Sequence, residues 1–122
     1  MNIETYNKYC ASLPAATSVV QWGGAHVWKV GGKVFAIGGW SQEDFPYITF
    51  KTSDLAFDIL KEQEGMRPAP YLAPRGGKWI QIFRQDAMNA EDIFAYLEES
   101  HRLISQKLTK KLRSELGLDT LS

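Results

Sequence analysis

The chain has 122 residues, 44% hydrophobic and 12% aromatic, a composition that fits one globular domain with a packed core and excludes a disordered chain. Its 14 basic residues balance 14 acidic ones, so net charge gives no argument for a polyanion partner and any such site must come from uneven placement. Cys10 is the only cysteine, which excludes an intramolecular disulfide and a thiolate metal cage within one chain.

The start, Met1-Asn2-Ile3-Glu4, lacks a basic region followed by an apolar run, so it does not read as a secretory signal and the mature protein is expected to begin here. No window approaches the roughly 18 consecutive apolar residues of a membrane span. With one cysteine, a reducing cytoplasm is the expected location.

Ile3, Tyr6, Cys10 and Leu13 fall at helical spacing behind a capping Asn2, and Pro14 stops the pattern, so residues 3 to 13 read as an amphipathic helix. Val19 to Trp22, Val27 to Val30 and Lys33 to Ile37 then read as strands joined by tight turns at Gly23-Gly24 and Gly31-Gly32. In the third, alternation groups Lys33, Phe35 and Ile37 against Val34 and Ala36. Tyr47 to Lys51 alternates as a fourth strand. Ser53 caps a helix expected to turn Leu55 and Ile59 inward, with Phe57 and Leu60 as further candidates, and to end at Gly65.

Pro68, Pro70, Pro74, Gly76 and Gly77 make residues 66 to 77 an ordered loop. Trp79 to Phe83 has strand composition. Asn89 with Asp92 resembles a capping box before a long helical segment striped by Ile93, Leu97, Ile104, Leu108, Leu112 and Leu116, with a candidate break near Ser100 and an end at Gly117. The order α-β-β-β-β-α-β-α predicts an α+β fold of two layers, an antiparallel sheet backed by helices. One domain spans 1–117, and 118–122 form a short tail.

Leu13-Pro14, Gly32-Lys33-Val34-Phe35-Ala36, Phe50-Lys51, Gly65-Met66 leading to Pro68-Ala69-Pro70-Tyr71, Lys78-Trp79-Ile80 and Ser100-His101-Arg102-Leu103-Ile104 occur in an order that resembles the YjbR/MmcQ family across nearly the whole chain. The resemblance implies a frataxin-like fold and a bacterial cytoplasmic protein that binds DNA through a double-wing motif. It implies no catalytic residues. Lys78 departs from the family pattern, in which many members carry His there. Iron does not follow from the frataxin likeness, because the first helix offers only Glu4 and a hard cation needs several oxygen donors.

The charges are segregated along the chain. From Gly65 to Gln85 the cations Arg67, Arg75, Lys78 and Arg84 occur without an acid. From Ser100 to Ser114 the cations Arg102, Lys107, Lys110, Lys111 and Arg113 do the same, so these windows hold nine of the 14 cations. Lys29 and Lys33 flank the Gly31-Gly32 tip, and Arg75 and Lys78 flank Gly76-Gly77. Glycine tips let a phosphate backbone approach closely while flanking cations neutralise it. The candidate nucleic-acid contacts are Lys29, Lys33, Arg75, Lys78, Arg102, Lys107, Lys110 and Lys111, and the expected partner is DNA, bound weakly and largely without sequence preference. The plainer reading makes the tips ordinary hairpins and the C-terminal cations a solvated face near a helix end.

A protein-interaction or small-ligand module is the rival reading, with the proline-stiffened loop carrying Arg67, Pro70 and Tyr71 as its surface. Trp28, Trp40 and Trp79 could stack on unpaired bases, although Trp22, Trp28 and Trp79 read first as core. An enzyme is the weakest reading. Cys10 lies on the apolar helix stripe, His26 and His101 lack metal-ligand spacing, and no nucleophile, base and orienting group come together. No cofactor and no metal site are expected.

Overall fold

Residues 1–39, 45–70, 72 and 77–118 are described in the structure, a computed structural model of the chain. Helix α1, Ile3–Ala11, starts where Asn2 Oδ1 accepts the Thr5 N–H at 2.8 Å and buries Tyr6 and Cys10. Strands β1 (Ala16–Gln21), β2 (Ala25–Val30), β3 (Lys33–Gly38) and β4 (Ile48–Lys51) follow. Then come α2 (Asp54–Leu60), β5 (Met66–Pro68), β6 (Trp79–Ile82), a 3-10 turn at Gln85–Ala87, α3 (Ala90–Ser105) and α4 (Lys110–Glu115). Ser53 and Asn89 cap α2 and α3 as their sequence positions suggest, and Thr109 caps α4 in the same way.

The six strands form one sheet in the order β1-β2-β3-β4-β6-β5, with every neighbouring pair antiparallel. The fold class is therefore the expected one, α+β with an antiparallel sheet backed by helices. Ile48, Phe50, Ile80 and Ile82 project from one sheet face into a core shared with Tyr6 of α1, Phe57 of α2 and Ile93, Leu97 and Ile104 of α3. Burying each such side chain contributes on the order of 1.5–3 kcal/mol. Ser100 ties α3 to the sheet: its hydroxyl donates to the Phe35 carbonyl at 2.6 Å and accepts the Lys51 N–H at 2.9 Å.

Several expectations are corrected. In α2 it is Phe57 and Leu60 that are buried, while Leu55 and Ile59 are 72% and 52% exposed. The helix stops at Leu60, and the short element rests its Phe57 side against β5 and β6. Gly65, at φ +82, opens β5 instead of ending the helix. The proline-rich loop contains β5, an edge strand in which Pro68 needs no ladder partner for an N–H it lacks. The C-terminal helical segment breaks after Ser105, not at Ser100, which lies inside α3. Trp22, expected in the core, is 51% exposed at φ +52 beyond the end of β1. Leu118 is buried in the main core.

The face assignment in β3 is overturned by a bulge. Trp28 pairs with Ala36 but Lys29 pairs with Val34, which leaves Phe35 as an extra residue. A bulge places two residues opposite one and resets the alternation. Phe35 and Ala36 join the main core, whereas Ile37 joins Ala25, Val27, Val34 and Leu72 in a small cluster.

Candidate nucleic-acid interface

Antiparallel pairing brings distant segments to one end of the sheet. The pairs Val30 with Lys33 and Lys51 with Trp79 place the β2–β3 turn, the end of β4 and the start of β6 at the same end. Helix α3 finishes there too: Ser100 holds Lys51, and the His101 Nε2–H donates to the Pro14 carbonyl at 2.7 Å, just before β1. The cations of the second basic window, which follow α3, therefore meet the start of the sheet's sixth strand.

Lys51 lies at the centre of this end. Its pKa is held below the ordinary lysine value first by burial, then by the positive charge of Lys107 and more weakly by that of Lys78, with Asp54 partly offsetting them. Its Nζ lies 5.7 Å from the centre of the Trp79 ring, and Lys78 Nζ lies 5.0 Å from the Phe57 ring. The Lys78 carbonyl accepts the Thr52 N–H at 2.7 Å and the Thr52 hydroxyl at 3.1 Å, which fixes Lys78 beside the end of β4. Among the described residues no carboxylate forms an ion pair with Lys51, Lys78 or Lys107. Lys78 and Lys107, from two other segments, thus bring their charges to the half-buried Lys51.

The Gly31-Gly32 tip docks onto the same end. A Cβ on Gly31 would lie 2.7 Å from Leu108 Cδ1, so only glycine lets the hairpin close onto the buried Leu108 between α3 and α4. Lys29 and Lys33 flank this tip in the chain, and Lys107, Lys110 and Lys111 flank Leu108. Cross-strand partners share a face. Lys33 pairs with Val30 and Lys29 with Val34, so the two lysines leave opposite faces of the hairpin.

Arg102 does not join the cluster. Its Nε donates to Glu99 Oε2 at 2.8 Å within a two-pronged ion pair on α3, and this pair holds the Glu99 carboxyl below its usual value. Arg84 is likewise engaged, between Glu64 at 3.8 Å and Asp86 at 2.8 Å, at the opposite end of the sheet. Arg75, Tyr71 and Trp40 lie outside the described residues. Pro70 is half-buried directly after Ala69, whose N–H donates to the Trp79 carbonyl at 2.9 Å. Arg67 is an exposed residue of β5 and belongs to a strand, not to a loop.

Of the tryptophans proposed for stacking, Trp28 is buried and its Nε1–H donates to Asn7 Oδ1 at 2.9 Å, while Trp79 is half-buried under Lys51. Cys10 is fully buried, and burial pushes its thiol up to about 12, so it is a poor nucleophile. His26 Nδ1 is 3.1 Å from Asn7 Nδ2. Among the described residues no group of His, Cys, Asp or Glu could hold a metal ion, and no helix is long and apolar enough to cross a membrane.

Sequence reasoning overlooked Lys51, because it ends a strand, stands in neither basic window and has Asp54 three residues on. Its signal was the pairing of a strand-ending lysine with the Lys78-Trp79 start of another strand.

No curated protein matches the chain. Among solved structures, a Deinococcus radiodurans protein, DR2400, with a DUF419 domain superposes with a TM-score of 0.84 at 22% identity, covering 96% of this chain and 88% of that one. A Pseudomonas syringae protein superposes with a TM-score of 0.67 at 18% identity, covering 85% of this chain and 99% of that one. At these identities the likeness is one of fold. The sequence model of the YjbR family matches residues 11–103, three quarters of the chain and every strand of the sheet, and the chain belongs to the YjbR family.

Proposed function

We propose that this protein binds nucleic acid, weakly and without strong sequence preference, through the basic end of its sheet. The observation that carries the reading is the convergence of Lys51, Lys78 and Lys107 from three chain segments, with no carboxylate bridging them among the described residues. Folding a neutral chain so that like charges meet raises its energy unless an anion offsets the repulsion. Lys33, Lys110 and Lys111 extend the contact along a phosphate backbone, and Lys29, on the other face of the hairpin, stands apart from them. Arg102 is left out, since its guanidinium is already paired.

A group of acids lies toward the opposite end, where Glu62 and Glu64 follow α2, Asp86 lies in the 3-10 turn and Glu91 and Asp92 open α3, while Asp54 stands beside Lys51. Such a dipolar charge layout orients a polyanion toward the lysine end before contact. The reading assigns no catalytic group and no cofactor.

Fluorescence anisotropy with two duplexes of unrelated sequence, measured over a salt series, tests it. Binding falls on a log-log line of slope about −0.9 per phosphate neutralised, with the two duplexes alike within a few-fold. Lys78→Glu and Lys107→Glu each weaken both duplexes equally and make the slope shallower by about 1. Affinity that does not change with salt, or variants that bind like the parent, defeat the proposal.

A further inference from the structure

The sheet face opposite the helices carries a polar row that the lysine end does not use. Ile80 and Ile82 point into the main core, so Gln81 between them faces the other way, as does its partner on each side, Thr49 in β4 and Arg67 in β5. The Arg67 Nε–H donates to Gln81 Oε1 at 2.8 Å, and the guanidinium carbon sits 4.7 Å from the centre of the Phe83 ring. Tyr47 meets Phe83 edge to face at 6.4 Å between ring centres. Gln81 is buried, so the oxygen that accepts from Arg67 sits in an enclosed place.

These contacts fix the plane of the guanidinium and use one of its three nitrogens. Among the described residues neither Nη atom has a hydrogen bond or an ion pair, although Arg67 is exposed on an edge strand. One strand further in, the Thr49 hydroxyl is fully buried without a hydrogen-bond partner, so the row does not close on itself. Side-chain entropy is the usual cost of using arginine as an anion fork, and here stacking and the Gln81 bond have already met it. A guanidinium with two parallel free N–H groups matches the two oxygens of a carboxylate. The Phe83 ring under the guanidinium and the half-buried Tyr47 ring that meets it edge to face put an aromatic, apolar surface beside the fork.

We infer that Arg67, Gln81, Phe83 and Tyr47 form a binding site for a small organic carboxylate carried on an apolar body. The class follows from geometry: one fixed fork takes one carboxylate, and the edge-to-face ring pair beside it takes an apolar skeleton. The site is independent of the nucleic-acid reading, because Arg67 is not among the lysines at the sheet's end.

Benzoate is the probe, titrated into the full chain and followed by the Arg67 Nε–H and the backbone amides of Arg67, Gln81 and Phe83 in ¹⁵N-resolved NMR. Benzoate shifts this set saturably, and neutral benzamide, the same ring without the anion, binds at least tenfold more weakly. Arg67→Lys keeps the charge but loses the fork, and it loses benzoate binding at least tenfold while duplex binding is unchanged. Phe83→Leu, with the guanidinium kept, weakens benzoate several-fold and serves as the second variant should Arg67→Lys fold poorly. Benzamide binding as well as benzoate overturns the inference, as does undiminished benzoate binding in either variant. Inorganic phosphate binding at least as tightly as benzoate overturns the carboxylate class.

Discussion

Desolvation acts in the same direction on His101 and Lys51, with different consequences for the molecule. His101 is buried against the Phe35 ring at 5.1 Å, and burial lowers its pKa below the ordinary 6.5, with the Pro14 carbonyl and Glu98 partly opposing that shift. The unfolded chain therefore binds the proton more readily. The stability linked to this group is complete above about pH 6.5 and is lost as pH falls toward and through the lower folded value. His101→Gln keeps a donor for the Pro14 carbonyl and removes the titration, so urea unfolding between pH 7 and 5 should depend less on pH than in the parent. An unchanged pH dependence would show that His101 is not the titrating group.

For Lys51 the lowered pKa means that carrying the charge costs folding free energy at neutral pH. Lys51→Met keeps the stem over Trp79 and removes the ammonium. Thermal denaturation is expected to give a higher Tm for the variant and anisotropy a lower duplex affinity, the signature of a residue retained for binding. A lower Tm would assign Lys51 a structural role instead.

Among the elements, the β2–β3 hairpin is the one whose placement the site depends on, since its tip rests on Leu108. Gly31 has φ +57 and Gly32 φ +80, so alanine at either pays roughly 1–2 kcal/mol for left-handed backbone. Only at position 31 does the new methyl meet Leu108; at 32 nothing lies within 4 Å. Gly31→Ala is therefore predicted to destabilise more than Gly32→Ala in chemical denaturation, and to weaken duplex binding by shifting the tip that carries Lys33 off Leu108. Equal losses would separate the hairpin from the site. The turn residues were legible in the sequence, because Gly-Gly between β-rich runs has few other uses. The bulge at Phe35 was not, since it answers to the register of a neighbouring strand and leaves the local alternation intact. Helix α2 failed for a related reason: seven residues carry apolar side chains on two sides, and packing against β5 and β6 selected Phe57 and Leu60 over Leu55 and Ile59.

At the scale of the whole molecule, a chain with no net charge gathers Lys51, Lys78 and Lys107 at one end of its sheet. One property legible in the residue order contributes to this: antiparallel strands bring every second turn to one side, and Lys78 and Lys107 each stand just outside an element that starts or ends there. Caps at Asn2, Ser53 and Asn89, glycine turns, a buried Cys10 and the α+β class were likewise determined by the sequence alone, because each rests on local backbone chemistry or on periodicity within a single element. Which cations meet was decided only by the tertiary structure. Lys51 joins Lys78 and Lys107 through strand pairing and the Ser100 bridge, Arg102 withdraws to Glu99, and Arg67 is set against Gln81 and Phe83 across two strands. Contacts between residues far apart in the chain depend on register and packing, and those are properties of the assembled sheet rather than of any one segment.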